Sequence, residues 1–228
     1  MKVLAFNGSP SMGKGNTSLI LNPFLEGMRE AGAEVELIYT RKLNIKPCTG
    51  ELLCWGKSPG KCHISDDMQF LYPKLCDTNI FVLATPVYVP LPGMMQNLIN
   101  RLVPLMDPVL EMRDDRTRAR FRQNVKISKI VLVSSCGWWE KGNFGTVLRI
   151  AEELAEDVSV EFAGGVLRPH AEFLRKENEK TREVLKAAKK AGYQLVKEGR
   201  MSPELLNIVS CELVSLKKYM EVNNNGHN

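Results

Sequence analysis

The 228-residue sequence has no uninterrupted apolar run long enough to cross a membrane. Its richest apolar stretch, Ile80 to Met95, is cut by Pro86, Pro90 and Pro92, whereas a spanning helix needs about 20 consecutive apolar residues. No repeat of solenoid period is visible, which excludes a stacked-repeat architecture. A secretory leader is also not expected. Only Val3 to Phe6 are apolar before Asn7-Gly8, and a leader core takes roughly 7–15 apolar residues. The start therefore reads as a mature strand in a cytoplasmic protein. Histidine is scarce, and His63, His170 and His227 show no Ser/His/Asp arrangement, so no triad is assigned and the catalytic residue is left open. His170, after Arg168-Pro169, reads as structural or solvent-exposed.

What is present is the composition of a folded chain. Hydrophobic residues make up 44% and charged residues 25%, recurring to about residue 220, which excludes disorder as a description of the whole. A chain of this length buries roughly 70–75% of its unfolded surface and needs no disulfide staples. Its six cysteines (Cys48, Cys54, Cys62, Cys76, Cys136, Cys211) then read as buried thiols, ligands or redox groups. The net charge of +5 is spread out and suits a nucleotide-like anion. No nucleic acid and no membrane are expected as partners.

Short apolar strands alternate with amphipathic helices. Strands are expected at Lys2–Phe6, Val35–Tyr39, Ile80–Ala84, Ile130–Ser134 and Val158–Ala163. Helices are expected at 16–31, 66–75, 93–106 and 144–156. This alternation predicts an α/β doubly wound fold, a five-stranded parallel sheet of order 2-1-3-4-5 in a three-layer sandwich. Residues 1–169 form the predicted ligand-binding domain, and 170–228 a helical extension with helices at 171–200 and 203–220 and a polar, frayed end. The charges of the first of these helices read as a solvated face. The arginine-rich stretch Asp107 to Lys126 reads as a long connection, either functional or a solvated excursion.

The turn after the first strand, Gly8 to Ser18, is the most informative segment. Gly8 to Lys14 fits a nucleotide-triphosphate loop, but Gly15 stands where Ser or Thr must hold magnesium. A dinucleotide fingerprint fails as well, because the third glycine is Ser18 and Tyr39-Thr40-Arg41 lacks the ribose-binding acid. A phosphate monoester fits better. Ser9, Ser11, Asn16, Thr17 and Ser18 supply donors, and Gly13 and Gly15 admit the backbone. Hydrogen bonds to a charged group contribute about 1.5–3 kcal/mol each, so three or four suffice without an arginine clamp. An ordinary turn with Asn16 as helix cap is the plainer alternative.

With Ile45-Lys46-Pro47-Cys48, Gly60-Lys61-Cys62, Asp66-Asp67-Met68, Thr85-Pro86-Val87-Tyr88 and Arg101, this loop resembles the NAD(P)H-dependent FMN reductases of the flavodoxin superfamily, in particular their iron–sulfur flavoprotein branch. The resemblance spans about residues 1–170. It implies FMN as cofactor, NAD(P)H as electron donor, and an oxidoreductase serving a small-molecule or protein redox partner. A non-enzymatic FMN carrier and a cluster-bearing electron-transfer flavoprotein are the alternatives. It further implies a homodimer or homotetramer completing the flavin crevice.

By the same resemblance the phosphate would meet Ser9, Pro10, Ser11, Gly15, Asn16, Thr17 and Ser18. The ring would meet Thr85, Pro86, Val87, Tyr88 and Val89, then Ser135, Cys136, Gly137 and Trp138. Tyr88 and Trp138 could flank a planar heterocycle. The sequence departs from its relatives at Gln96 and Asn100, where Lys and Asp are common. It also departs in the cysteine loop. Cys48, Cys54 and Cys62 are present, but the second of the four ligand positions falls at Glu51. Four-iron clusters use four thiolates, so an iron–sulfur cluster is not expected. Glu51 or His63 with the thiols would also permit zinc.

Overall fold

The computed structural model describes residues 1–225. Chain order is β1 (Lys2–Asn7), α1 (Asn16–Glu30), β2 (Glu34–Tyr39), α2 (Met68–Cys76), β3 (Ile80–Pro86), α3 (Gly93–Asn100), β4 (Met106–Arg113) and β5 (Arg116–Phe121). There follow β6 (Lys129–Ser135), α4 (Gly145–Val158), β7 (Glu161–Arg168), α5 (Glu179–Glu198), α6 (Pro203–Val209) and α7 (Leu216–Asn225). Five strands form one parallel sheet of order β2-β1-β3-β6-β7, the expected doubly wound topology.

Each central strand is apolar on both faces because both faces are covered. Leu4, Phe6, Phe81, Leu83, Ile130 and Leu132 face α2, α3 and α4. Their sequence neighbours Val3, Ala5, Val82, Ala84, Val131 and Val133 face α1 and α5. Successive strand side chains alternate between faces, and this yields two cores from one run of apolar residues. α5 belongs to this second core through Val184, Ala187, Ala188, Ala191 and Leu195. It crosses α1 at two glycines: a Cβ on Gly27 would lie 1.8 Å from the Lys189 carbonyl oxygen, and one on Gly192 2.0 Å from that of Phe24.

Several sequence-based boundaries are corrected. The connection over 107–126 is a hairpin, β4–β5, turned by Asp114 and Asp115 at φ 48° and 58°. Its arginines meet the acidic side of α4, with Arg116–Glu153 at 3.1 Å, Arg118–Glu153 at 3.1 Å and Arg118–Asp157 at 3.2 Å. The helix expected to reach 106 stops at Asn100, before a separate short turn over Val103–Leu105 that contains Pro104. The fifth parallel strand lies at 161–168 rather than 158–163, because Ser159 at φ 61° ends α4.

The expected helix 171–200 is a short turn over Ala171–Arg175 followed by α5, which Asn178 caps by accepting from the Thr181 N–H. The expected helix 203–220 is split into α6 and α7. Arg168 takes the Val209 carbonyl at 2.7 Å and the Cys211 carbonyl at 2.6 Å, satisfying with a side chain what a continuing helix would have satisfied with its backbone. Val222 to Asn225, expected to fray, are helical. The last residues of that stretch, with His227, lie outside the described residues.

Candidate functional site

Three loops converge at the carboxyl ends of β1, β3 and β6, where doubly wound sheets hold their ligands. They enclose a crevice of about 220 Å³ lined by Ser9, Pro10, Ser11, Gly15, Asn16, Thr17, Pro86, Val87, Tyr88, Ser135, Cys136 and Gly137. Every one of these twelve is among the residues singled out by sequence.

The first loop is built by its own side chains. Asn7 accepts the Ser9 N–H at 2.8 Å and donates to the Ser18 hydroxyl at 2.9 Å, and Ser18 donates to the Met12 carbonyl at 2.8 Å. The Ser18 side chain is buried and its hydroxyl donates within the loop, so here it braces the loop. An added Cβ on Gly15 would sit 2.3 Å from the Ser9 hydroxyl oxygen, so any larger residue there would have to turn the Ser9 hydroxyl aside. Gly15, not Asn16, precedes α1, and no side chain caps that helix. The first-turn N–H groups of a 15-residue helix thus face the crevice end without a side-chain acceptor.

The second loop supplies Pro86, Val87 and Tyr88, with the Val87 N–H donating to the Ser135 carbonyl at 2.8 Å. Thr85 does not reach the crevice. It is fully buried, and its carbonyl accepts from the Ser134 hydroxyl at 2.8 Å. Val89 does not reach it either, being fully exposed on the outer side of the turn. The third loop supplies Ser135, Cys136 and Gly137, and Trp138 projects into solvent (62% exposed) beyond the lining. Burial pushes the Cys136 thiol above its ordinary pKa, so it is a neutral wall group.

A second layer holds this third loop, and sequence reasoning missed most of it. The Tyr219 hydroxyl donates to the Gly137 carbonyl at 3.1 Å, and the Trp139 indole N–H to the Val214 carbonyl at 3.2 Å. His170 donates its backbone N–H to the Trp138 carbonyl at 2.8 Å. Its Nε2 accepts the Leu213 N–H at 3.0 Å and faces an Arg168 nitrogen at 3.0 Å. His170 is fully buried, which decides the sequence alternative of structural or exposed. Burial, and then the Arg168 charge, lower its pKa to about 4, so the imidazole is neutral and the single Nε2 lone pair is shared between the two donors. Burial also lowers the pKa of Arg168, to about 10. Apart from Arg168 and His170, these partners lie 32 to 82 positions apart, and no local pattern announces them.

The cysteine loop is fastened by Asp66, which bonds Arg101 at 2.6 and 3.1 Å and accepts the Lys46 and Met68 N–H groups. Within it, Cys48 is exposed, Cys54 buried and Cys62 half-buried. Burial first, and then the nearness of Cys62 and Cys48, push the Cys54 thiol pKa up. Glu51 pairs with His63 at 2.8 Å. Three thiols and a carboxylate held against His63 do not fit a four-iron cluster. Among the described residues, no group of three or more His, Cys, Asp or Glu side chains is arranged to hold a metal ion.

Over 102 residues the chain is 35% identical to an iron-sulfur flavoprotein of Archaeoglobus fulgidus, a match covering 44% of this chain and 48% of that protein. It is 36% identical over 88 residues to an iron-sulfur flavoprotein of Methanocaldococcus jannaschii, covering 39% and 44%. The matches thus span about half the length of these curated relatives.

Among solved structures, a NAD(P)H:quinone oxidoreductase from Methanothermobacter marburgensis superposes with a TM-score of 0.59 at 17% identity, covering 86% of this chain and 98% of that one. An FMN-dependent NADH-azoreductase from Bacillus anthracis, in complex with FMN, gives 0.58 at 12% identity, covering 87% and 99%. At these identities the likeness is one of fold. The NADPH-dependent FMN reductase family model matches residues 1–125, more than half of the sequence, and this chain belongs to that family.

Proposed function

We propose that this protein is an FMN-dependent oxidoreductase that takes electrons from a nicotinamide or a protein donor and passes them to a separate acceptor. The observation that carries this reading is the crevice itself. Hydroxyls of Ser9, Ser11 and Thr17, the Asn16 amide and an uncapped helix start converge where one terminal phosphate would sit. This donor set fits a phosphate monoester, and hence FMN rather than FAD. Bound FMN supplies the hydride chemistry.

The protein's share is positioning. The first loop binds the phosphate end, and the backbone from Pro86 to Tyr88 and from Ser135 to Gly137 borders the ring. Thr85, Ser18 and the buried neutral Cys136 keep these loops in place. No acid or base of this chain is assigned to the reaction.

Self-association belongs to the same reading. The β4–β5 hairpin exposes Val109, Leu110 and Met112 (56–66%), a surface suited to a second copy in a homodimer or homotetramer. Six free cysteines support a reducing, cytoplasmic setting. No described helix is long and apolar enough to cross a membrane.

The test begins with the mass of the cofactor released after reconstitution, with FMN as the expected result. Rapid flavin reduction by NADH or NADPH and turnover with a quinone should follow. Release of FAD, or failure to take up any flavin, would refute the proposal. Flavin uptake without nicotinamide reduction or turnover would favour a non-enzymatic carrier.

A further inference from the structure

The turn over Ala171–Arg175 sends one side chain back to the first loop across 159 positions. Arg175 donates from Nε to the Asn16 side-chain oxygen at 3.0 Å and from Nη2 to the Lys14 carbonyl at 2.7 Å. Ala171, Phe173 and Leu174 are buried beneath it, so the guanidinium projects from an anchored turn. The residue lies outside the matched family region, 1–125.

The chemistry of the two groups fixes a direction. A guanidinium only donates, so the end of the Asn16 carboxamide it touches is the oxygen. The NH2 end, with two donors, is then the end left for the crevice that Asn16 lines. A carboxamide turned the other way would offer an acceptor to an anion. Arg175 also holds the Lys14 carbonyl, next to Gly15 and the uncapped start of α1. Arg41 braces the opposite limb of the same loop by donating to the Pro10 carbonyl.

Resting on the FMN reading above, we infer that Arg175 is a positioning residue that sets Asn16 as a hydrogen-bond donor to the cofactor's terminal phosphate. Its exposed positive charge adds a weaker, salt-dependent attraction for the same dianion.

Riboflavin, which lacks the phosphate, separates this role from general support of the fold. FMN and riboflavin affinities would be titrated by flavin fluorescence for wild type, Arg175→Ala, Arg175→Lys, Asn16→Ala, Asn16→Asp and the Arg175→Ala/Asn16→Ala pair. Arg175→Ala should weaken FMN by about tenfold, the scale of one hydrogen bond to a charged group, and leave riboflavin unchanged. Arg175→Lys, which keeps the charge but not the planar fork, should recover only part of the loss. Asn16→Asp keeps an acceptor for Arg175 but has nothing to donate, so it should weaken FMN at least as much as Arg175→Ala and leave riboflavin unchanged. In the Asn16→Ala background the effect of Arg175→Ala should shrink.

Equal losses for FMN and riboflavin, or no loss of FMN affinity in Arg175→Ala, would overturn the inference while leaving the FMN reading standing. Fully additive effects of the two alanine substitutions would overturn it too. Wild-type protein that binds neither flavin would overturn the FMN reading and this inference with it.

Discussion

The hydroxyls of Thr17 and Ser135 lie 2.8 Å apart, tying the first turn of α1 to the end of β6 across 118 positions of sequence. Both are buried, at 1% and 3% exposure, and both line the crevice. One hydrogen bond thus sets the spacing between the loop assigned to the phosphate and the loop assigned to the ring.

Thr17→Ala is expected to weaken FMN binding by about 1–3 kcal/mol, the scale for losing a hydrogen bond to a charged group. Thr17→Ser keeps the hydroxyl and should retain most of the affinity. An unchanged FMN dissociation constant in the alanine variant would remove the proposed phosphate contact.

Tyr219→Phe deletes the donor to the Gly137 carbonyl without changing the packing of the ring against Phe173 and His170. Stability should fall by about 0.5–1.5 kcal/mol. Amide exchange should accelerate over 136–139, which hydrogen-exchange mass spectrometry would resolve. Unaltered protection there would mean that the carboxyl-terminal helix does not hold the loop.

Asp66 and Arg101 form an ion pair whose side chains are 0% and 1% exposed. Burial disfavours the carboxylate, but the Arg101 hydrogen bonds and the Lys46 and Met68 N–H groups outweigh it and hold the Asp66 pKa below its ordinary value. Asp66→Asn leaves a buried guanidinium without its counter-charge and should cost about 3–5 kcal/mol in denaturant unfolding. A loss under 1 kcal/mol would show that the pair opens to water.

His170 gives a pH signature. Its pKa falls from about 6.5 to about 4 on folding, so the unfolded chain binds the extra proton first. The contribution is fully present above pH 6.5 and is lost as pH drops from about 6.5 to about 4, by roughly 3 kcal/mol in all. Unfolding free energies at pH 7.0 and 4.5 should differ in wild type and differ less in His170→Gln. Parallel pH dependence in the two proteins would show that His170 titrates freely.

Much of the crevice was legible because its residues sit in short contiguous segments. Ser9 to Thr17 and Pro86 to Tyr88 each follow a buried strand, and strand ends in a parallel sheet all open on one side. Ser18, Thr85, Val89 and Trp138 flank the ends of the lining runs 15–17, 86–88 and 135–137, and where a run leaves the crevice depends on hydrogen bonds and burial that sequence spacing does not specify. The hairpin was obscured because its arginines looked like a solvated run, although Arg118-Ala119-Arg120-Phe121 already carries the period of a strand.

Sequence alone determined the parallel sheet, its strand order and the three loops of the crevice, because apolar periodicity and turn chemistry act over a few neighbouring residues. Only the tertiary structure decided how those loops are held: Arg175 on Asn16, Tyr219 on Gly137, and a neutral His170 between Arg168 and Leu213. Each of these contacts joins residues at least 31 positions apart or depends on a burial that several elements create together. A buried polar group must find a partner wherever the packed chain brings one, and that choice is made by the closing of the whole fold.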